Sequence, residues 1–178
     1  MHKATNALAF IVATLMATTA VASAKSPSVA TLDASARAGG SNKPLARRVA
    51  YDLFLKNWAV QVLNVYADSI PGHNIVGLHL SGTKFHGAVS RAKFYGEVQE
   101  LIRVTFAAAP IEEVDVYATV PLVVGRDVVV AGDLARPTSR NVFTVSVRRG
   151  ESASSLAQRL QAKRGVFLDE DWARAALK

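Results

Sequence analysis

The chain has 178 residues, a formal charge of +7, 50% apolar residues and no cysteine. That length allows one domain with a real core, while the missing thiols exclude disulfides, thiol catalysis and a lipidated cysteine anchor. No Asn-x-Ser/Thr acceptor for N-glycosylation occurs either, and a disulfide-free exported protein leans towards a bacterial source.

The first 24 residues read as a secretory signal peptide. Met1-His2-Lys3 is a short basic start, an uncharged Ala-, Leu- and Val-rich run extends from Ala7 to Val21, and Ala22-Ser23-Ala24 is a small-x-small cleavage site. Cleavage is expected between Ala24 and Lys25. The apolar run is shorter than the roughly 20 residues that span a bilayer, so the mature protein should not be membrane-spanning. It should be periplasmic or extracellular.

Residues 25–43 are rich in Ser, Ala and Gly and read as a flexible linker ahead of a single domain over 44–178. Pro44 suits the first turn of a helix. Between residues 45 and 67 the polar positions Asp52, Lys56, Asn57, Gln61 and Asn64 recur at spacings near three and four. They predict one long helix, apolar over most of its circumference and therefore buried on more than one side, or against a second subunit. Ile70-Pro71-Gly72 ends that element, and residues 74–81 alternate as a strand with Val76, Leu78 and Leu80 towards a core.

A second helix is expected from Ser90, a plausible N-cap, to Ala109, with Pro110 closing it. The clearest strand follows at 114–122, where Val114, Val116, Ala118, Val120 and Leu122 alternate with Asp115, Tyr117, Thr119 and Pro121. Gly125-Arg126-Asp127 turns into a short strand at 128–131, a polar loop covers 132–140, and 141–148 alternates again. A short helix follows Ser152, and Asp169-Glu170-Asp171 opens a helical tail.

Strand, long helix and strand make a crossover, so the first two strands should be parallel and the later ones antiparallel. The expected fold is α+β: a two-layer sandwich with a mixed sheet of about four strands, an N-terminal buried helix and a helical C-terminal tail.

Complete catalytic motifs are absent. The pattern S-x-x-K occurs twice, at Ser81–Lys84 and Ser90–Lys93, without the companion elements of serine acyl enzymes. His73, His79 and His86 are spaced by six and seven residues, which matches no zinc pair, so no metal and no cofactor is expected.

Charge distribution is more informative. Residues 25–109 carry ten basic and five acidic side chains, and 69–96 carry no acid at all. Lys84, His86, Arg91 and Lys93 fall in the loop after the first strand and at the start of the following helix, where the helix dipole favours anions. They form the candidate anion-binding patch, with Phe85 as an apolar contact. Aromatics do not interleave with the basic pairs, so nucleic acid is not the expected partner.

One local pattern points to glycans. Val145-Ser146-Val147-Arg148-Arg149-Gly150-Glu151-Ser152, followed by Leu156-Ala157, resembles the opening of a LysM domain. Those modules begin with a strand, a Gly-Asp/Glu-Ser/Thr turn and a helix, and the resemblance implies binding to peptidoglycan or chitin.

The combined expectation is an exported, non-enzymatic binding or assembly protein contacting an anionic envelope polymer or a protein partner, with homo-oligomerisation through the 45–67 helix. The alternative is a small cell-envelope hydrolase or glycan-active enzyme using a histidine base.

Overall fold

The computed structural model describes residues 25–122 and 139–178. Among them lie five helices and six strands: α1 Pro27–Arg37, β1 Ala38–Gly39, α2 Lys43–Phe54, β2 Val60–Ile70, β3 His73–Phe85, α3 Arg91–Ala108, β4 Glu113–Pro121, β5 Ser139–Arg148, α4 Ala153–Ala162, β6 Val166–Leu168 and α5 Glu170–Ala176. The strands form one mixed sheet in the order β1-β2-β3-β4-β5-β6. β3 and β4 are parallel across α3, as the crossover requires, and β4 and β5 are antiparallel. The α+β class therefore holds, with six strands where about four were expected. The expected strand at 128–131 lies outside the described residues, as does the expected signal peptide over residues 1–24.

Two expectations are corrected. The long helix at 45–67 is in fact α2 followed, after a turn, by β2. α2 starts at Asn42, whose side chain accepts the Leu45 N–H, and buries one face through Ala46, Val49, Ala50, Leu53 and Phe54. The Trp58 indole donates to the Leu53 carbonyl at 2.8 Å, closing the helix where backbone carbonyls lose their partners. The chain then turns into β2, which pairs antiparallel with β3 around Pro71-Gly72. Apolar residues that could not fit one helical face are thus shared between a helix and a strand. The oligomer expected through a single all-apolar helix loses its premise.

Residues 25–43 are the second correction. Instead of a linker they carry α1 and β1. Ala30 and Ala34 of α1 are buried, and β1 pairs parallel with Val65 and Tyr66 of β2.

The core is a set of aligned rows. Ala67, Val76, Val114 and Val147 lie side by side across β2 to β5, as do Val65, Leu78, Val116 and Val145, and all eight are buried. Helices cover this face: Phe94 of α3 meets Phe143 of β5 edge-on at 5.0 Å and Trp172 of α5 at 5.5 Å. Because side chains alternate across a strand, the intervening residues define the opposite face, which stays half exposed.

Candidate binding site on the open sheet face

The same registers line up the outward residues. Tyr66, Gly77, Asp115 and Ser146 form one row, and Asn64, His79, Tyr117 and Thr144 the next. Glycine at 77 leaves a gap between two tyrosines: a Cβ there would meet both Tyr66 and Tyr117 at 3.8 Å. The result is a recess of about 450 Å³ bordered by Tyr66, Tyr117, Asp68, Asp115, Asn141 and Thr144.

Each wall is fixed by its surroundings. The Tyr66 ring lies over β1, close enough to Gly39 that an added Cβ would come within 2.6 Å of it. Tyr117 stacks on His79 with ring centroids 4.7 Å apart and planes 15° from parallel. His79 Nε2 in turn lies 2.8 Å from Thr119 Oγ1. Asp68 accepts the Ser41 backbone N–H at 2.8 Å, which holds its carboxyl below the usual range. Asp115 Oδ1 is sealed from solvent with no hydrogen-bond partner among the described residues.

Protonation states follow from burial. Desolvation, reinforced by nearby Tyr66, pushes the Tyr117 phenol up to about 12, so it remains a neutral donor. Desolvation lowers the His79 pKa and favours the neutral imidazole. The recess therefore offers two neutral aromatic rings, hydroxyls, an amide and carboxylate oxygens. Among the described residues that line it there is no lysine or arginine.

The basic residues singled out from the sequence go elsewhere. Lys84 is exposed at the end of β3, and Lys93 is exposed on α3. His86 lines a separate cleft of about 160 Å³ with Lys25, Arg37 and Lys56. Those cations already face Asp33 at 3.5 and 3.8 Å and Glu100 at 3.5 Å. Arg91 is bonded to Glu170 at 2.8 Å and lines a third cleft between α3 and α4. The structure thus brings none of the four into a common cavity.

Both S-x-x-K patterns have a backbone explanation. The Ser81 hydroxyl accepts the Lys84 N–H at 3.0 Å, and the Ser90 hydroxyl accepts the Lys93 N–H at 3.2 Å as the α3 N-cap. In each case it is the lysine backbone that meets the serine. Among the described residues no three metal-donor side chains converge.

The strand–turn–helix order of the LysM-like stretch is present: β5, Gly150 at φ +94°, and α4 capped by Ser152. β6 then returns antiparallel to β5. No family model, no curated protein and no solved structure matches the chain.

The outward residues of β4 were visible in the alternation at 114–122. Their partners on β2 were hidden by the helix reading, so Tyr66 and the recess beside it were missed.

Proposed function

We propose that this chain is an exported binding protein and that its open sheet face holds a neutral, hydroxyl-rich glycan of the cell envelope. The observation that carries this reading is the recess at Gly77, walled by Tyr66 and Tyr117 and edged by Asp115, Asn141 and Thr144. A sugar ring presents C–H groups on one face and hydroxyls around its edge. Aromatic faces take the first, and carboxylate, amide and hydroxyl groups take the second.

Charge argues for a neutral ligand over an anionic polymer. Asp68 and Asp115 border the recess, whereas Glu113 in the adjoining row already faces Arg148 at 3.6 Å. A polyanion would meet the two aspartates with no cation among the described residues that line the recess.

Soluble, neutral chito-oligosaccharides of several lengths, titrated into labelled protein and followed by NMR, test the reading. Shifts should centre on Gly77, Asp115 and Tyr117, and Tyr117→Ala should weaken binding at least about tenfold, roughly the loss of one good aromatic contact. Absence of binding to any of these glycans, or shifts that map to the helices, would overturn it.

A glycan-active enzyme is the second reading. It rests on neutral His79 beside Thr119, and release of reducing ends from the same glycans would distinguish it.

A further inference from the structure

A second cavity lies on the helical side of the molecule and uses none of the residues of the sheet face. It measures about 530 Å³, within the range of small-molecule sites, and is lined by Arg91, Tyr95, Gly96 and Gln99 from α3 and by Gln161 and Lys163 from α4 and its cap.

Its cationic end is built around a carboxylate. Glu170 Oε2 accepts from Arg91 at 2.8 Å, and Glu170 Oε1 accepts from Lys163. Lys163 reaches this position from a left-handed backbone at φ 54°, just past the last turn of α4. Two cations against one carboxylate leave one positive charge in this trio, at the N-terminal turn of α3 where the helix dipole adds to it.

Tyr95 lies behind this end of the cleft: the residue is 8% exposed, and its hydroxyl is sealed from solvent with no hydrogen-bond partner among the described residues. A buried hydroxyl without a partner costs free energy, so such groups are rare and call for an explanation. Arg91, Lys163 and Glu170 all act electrostatically on this phenol, while desolvation dominates and keeps it protonated as a donor.

The rest of the cleft narrows the ligand. Ala92, Gly96 and Ala157 give it a lining of small residues, and at Gly96 even an added Cβ would meet nothing within 4 Å. Gln99 and Gln161 supply amides that can both donate and accept, as a peptide group requires of its partner.

We propose that the α3–α4 cleft binds the free carboxylate end of a short peptide or N-acyl amino acid with small side chains. The carboxylate takes the Arg91 and Lys163 donors, the side chains rest on Ala92, Gly96 and Ala157, and the glutamines hold the amides.

The probe is N-acetyl-Ala-Ala, compared with its C-terminal amide and with inorganic phosphate, each titrated into the full chain without its leader and followed by NMR. The free acid should saturate with shifts on α3 and α4, the amide should bind at least about tenfold more weakly, and phosphate alone should not reproduce the shifts. Lys163→Met should weaken the free acid about fivefold or more. Gly96→Leu fills the cleft and should abolish binding, with an unchanged circular dichroism spectrum confirming that the helix is intact. Equal binding of acid and amide, phosphate reproducing the response, unaltered binding by Gly96→Leu, or no saturation at millimolar peptide would each overturn the proposal. None of these outcomes bears on the glycan reading of the sheet face.

Discussion

The imidazole of His79 stacks on the phenol ring of Tyr117, two residues that are direct neighbours across parallel strands β3 and β4. Such a pair contributes about 0.5–1.5 kcal/mol beyond the area it buries. It also orients Tyr117 towards the recess at Gly77. A charged imidazolium at this half-buried position would lose solvation, so the fold prefers the neutral ring.

The sign of the resulting pH dependence is fixed. The folded-state pKa of His79 lies below its unfolded value near 6.5, so the unfolded chain takes up the proton first as pH falls. Stability from this source is complete above pH about 6.5 and declines below it. Thermal melts between pH 8 and 5 should show a steeper loss for the native chain than for His79→Asn. Parallel curves would contradict the assignment, and NMR titration of the His79 ring should give a midpoint below that of an exposed histidine.

Tyr117 makes the complementary prediction at high pH. Its phenol should ionise near 12, above the ordinary tyrosine range, so the folded state resists ionisation and loses stability as pH rises from about 10 towards 12. Ultraviolet difference titration of the native chain against Tyr117→Phe should lose the latest-titrating phenol. Loss of an earlier one instead would show that Tyr117 is more solvated than the structure indicates.

Arg149 is expected to stabilise the end of α3. Its guanidinium donates to the carbonyls of Ile111 at 2.5 Å, Ala109 at 2.9 Å and Phe106 at 3.1 Å, and lies 5.1 Å from the Phe106 ring centroid. Phe106 and Ala109 are acceptors of the kind that a helix leaves unsatisfied at its C-terminus, and Ile111 lies in the loop that follows. Arg149→Ala should cost about 1–3 kcal/mol in denaturant unfolding, and Lys should recover little because it lacks the planar fork. A loss below about 0.5 kcal/mol would show that water replaces the guanidinium freely.

Two glycines with similar backbone angles should behave differently. Gly40 has φ +89°, and an added Cβ would overlap the Ala67 carbonyl oxygen and lie 2.8 Å from its nitrogen. Gly72, in the β2–β3 turn, has φ +76° but nothing within 4 Å. Gly72→Ala should cost about 1 kcal/mol, from backbone strain alone, while Gly40→Ala should cost about 3 kcal/mol or leave little folded protein. Equal losses would mean that β1 can move away from β2 without penalty.

The leader yields a direct check. If export cleaves after Ala24, N-terminal sequencing of the mature protein returns Lys25, whose backbone nitrogen donates to the Leu55 carbonyl at 3.2 Å and whose ammonium lies 3.5 Å from Asp33. The new amino terminus can still make the first of these contacts. Protein recovered with Met1 intact would contradict the cleavage, and recovery from the cytoplasm alone would contradict export.

Legibility in the sequence followed local regularity. The alternation from Val114, the Ser90 cap, the helix after Ser152, the helical tail at Asp169–Asp171 and the β3–α3–β4 crossover all reappear, because each follows from a regular local pattern. β2 was hidden by its own irregularity. Its pairing with β3 shifts between Val60 and Asn64, so the buried set runs Val60, Val62, Val65, Ala67 and breaks the two-residue period. Spacings of two and three then imitate a helix. α1 was hidden for a different reason: its buried residues, Ala30 and Ala34, look like linker composition until packing reveals their use. The recess at Gly77 depends on rows from four strands, and the α3–α4 cleft joins residues about seventy positions apart. Neither has a local signature.

The two borders of the sheet are very short, two residues at β1 and three at β6. Unpaired backbone groups along a long border would invite further strands and sheet-to-sheet growth, and brevity limits that hazard. Margins this short let the fold keep a broad, polar, aromatic-bearing sheet face without also presenting a long edge strand for another chain to pair with.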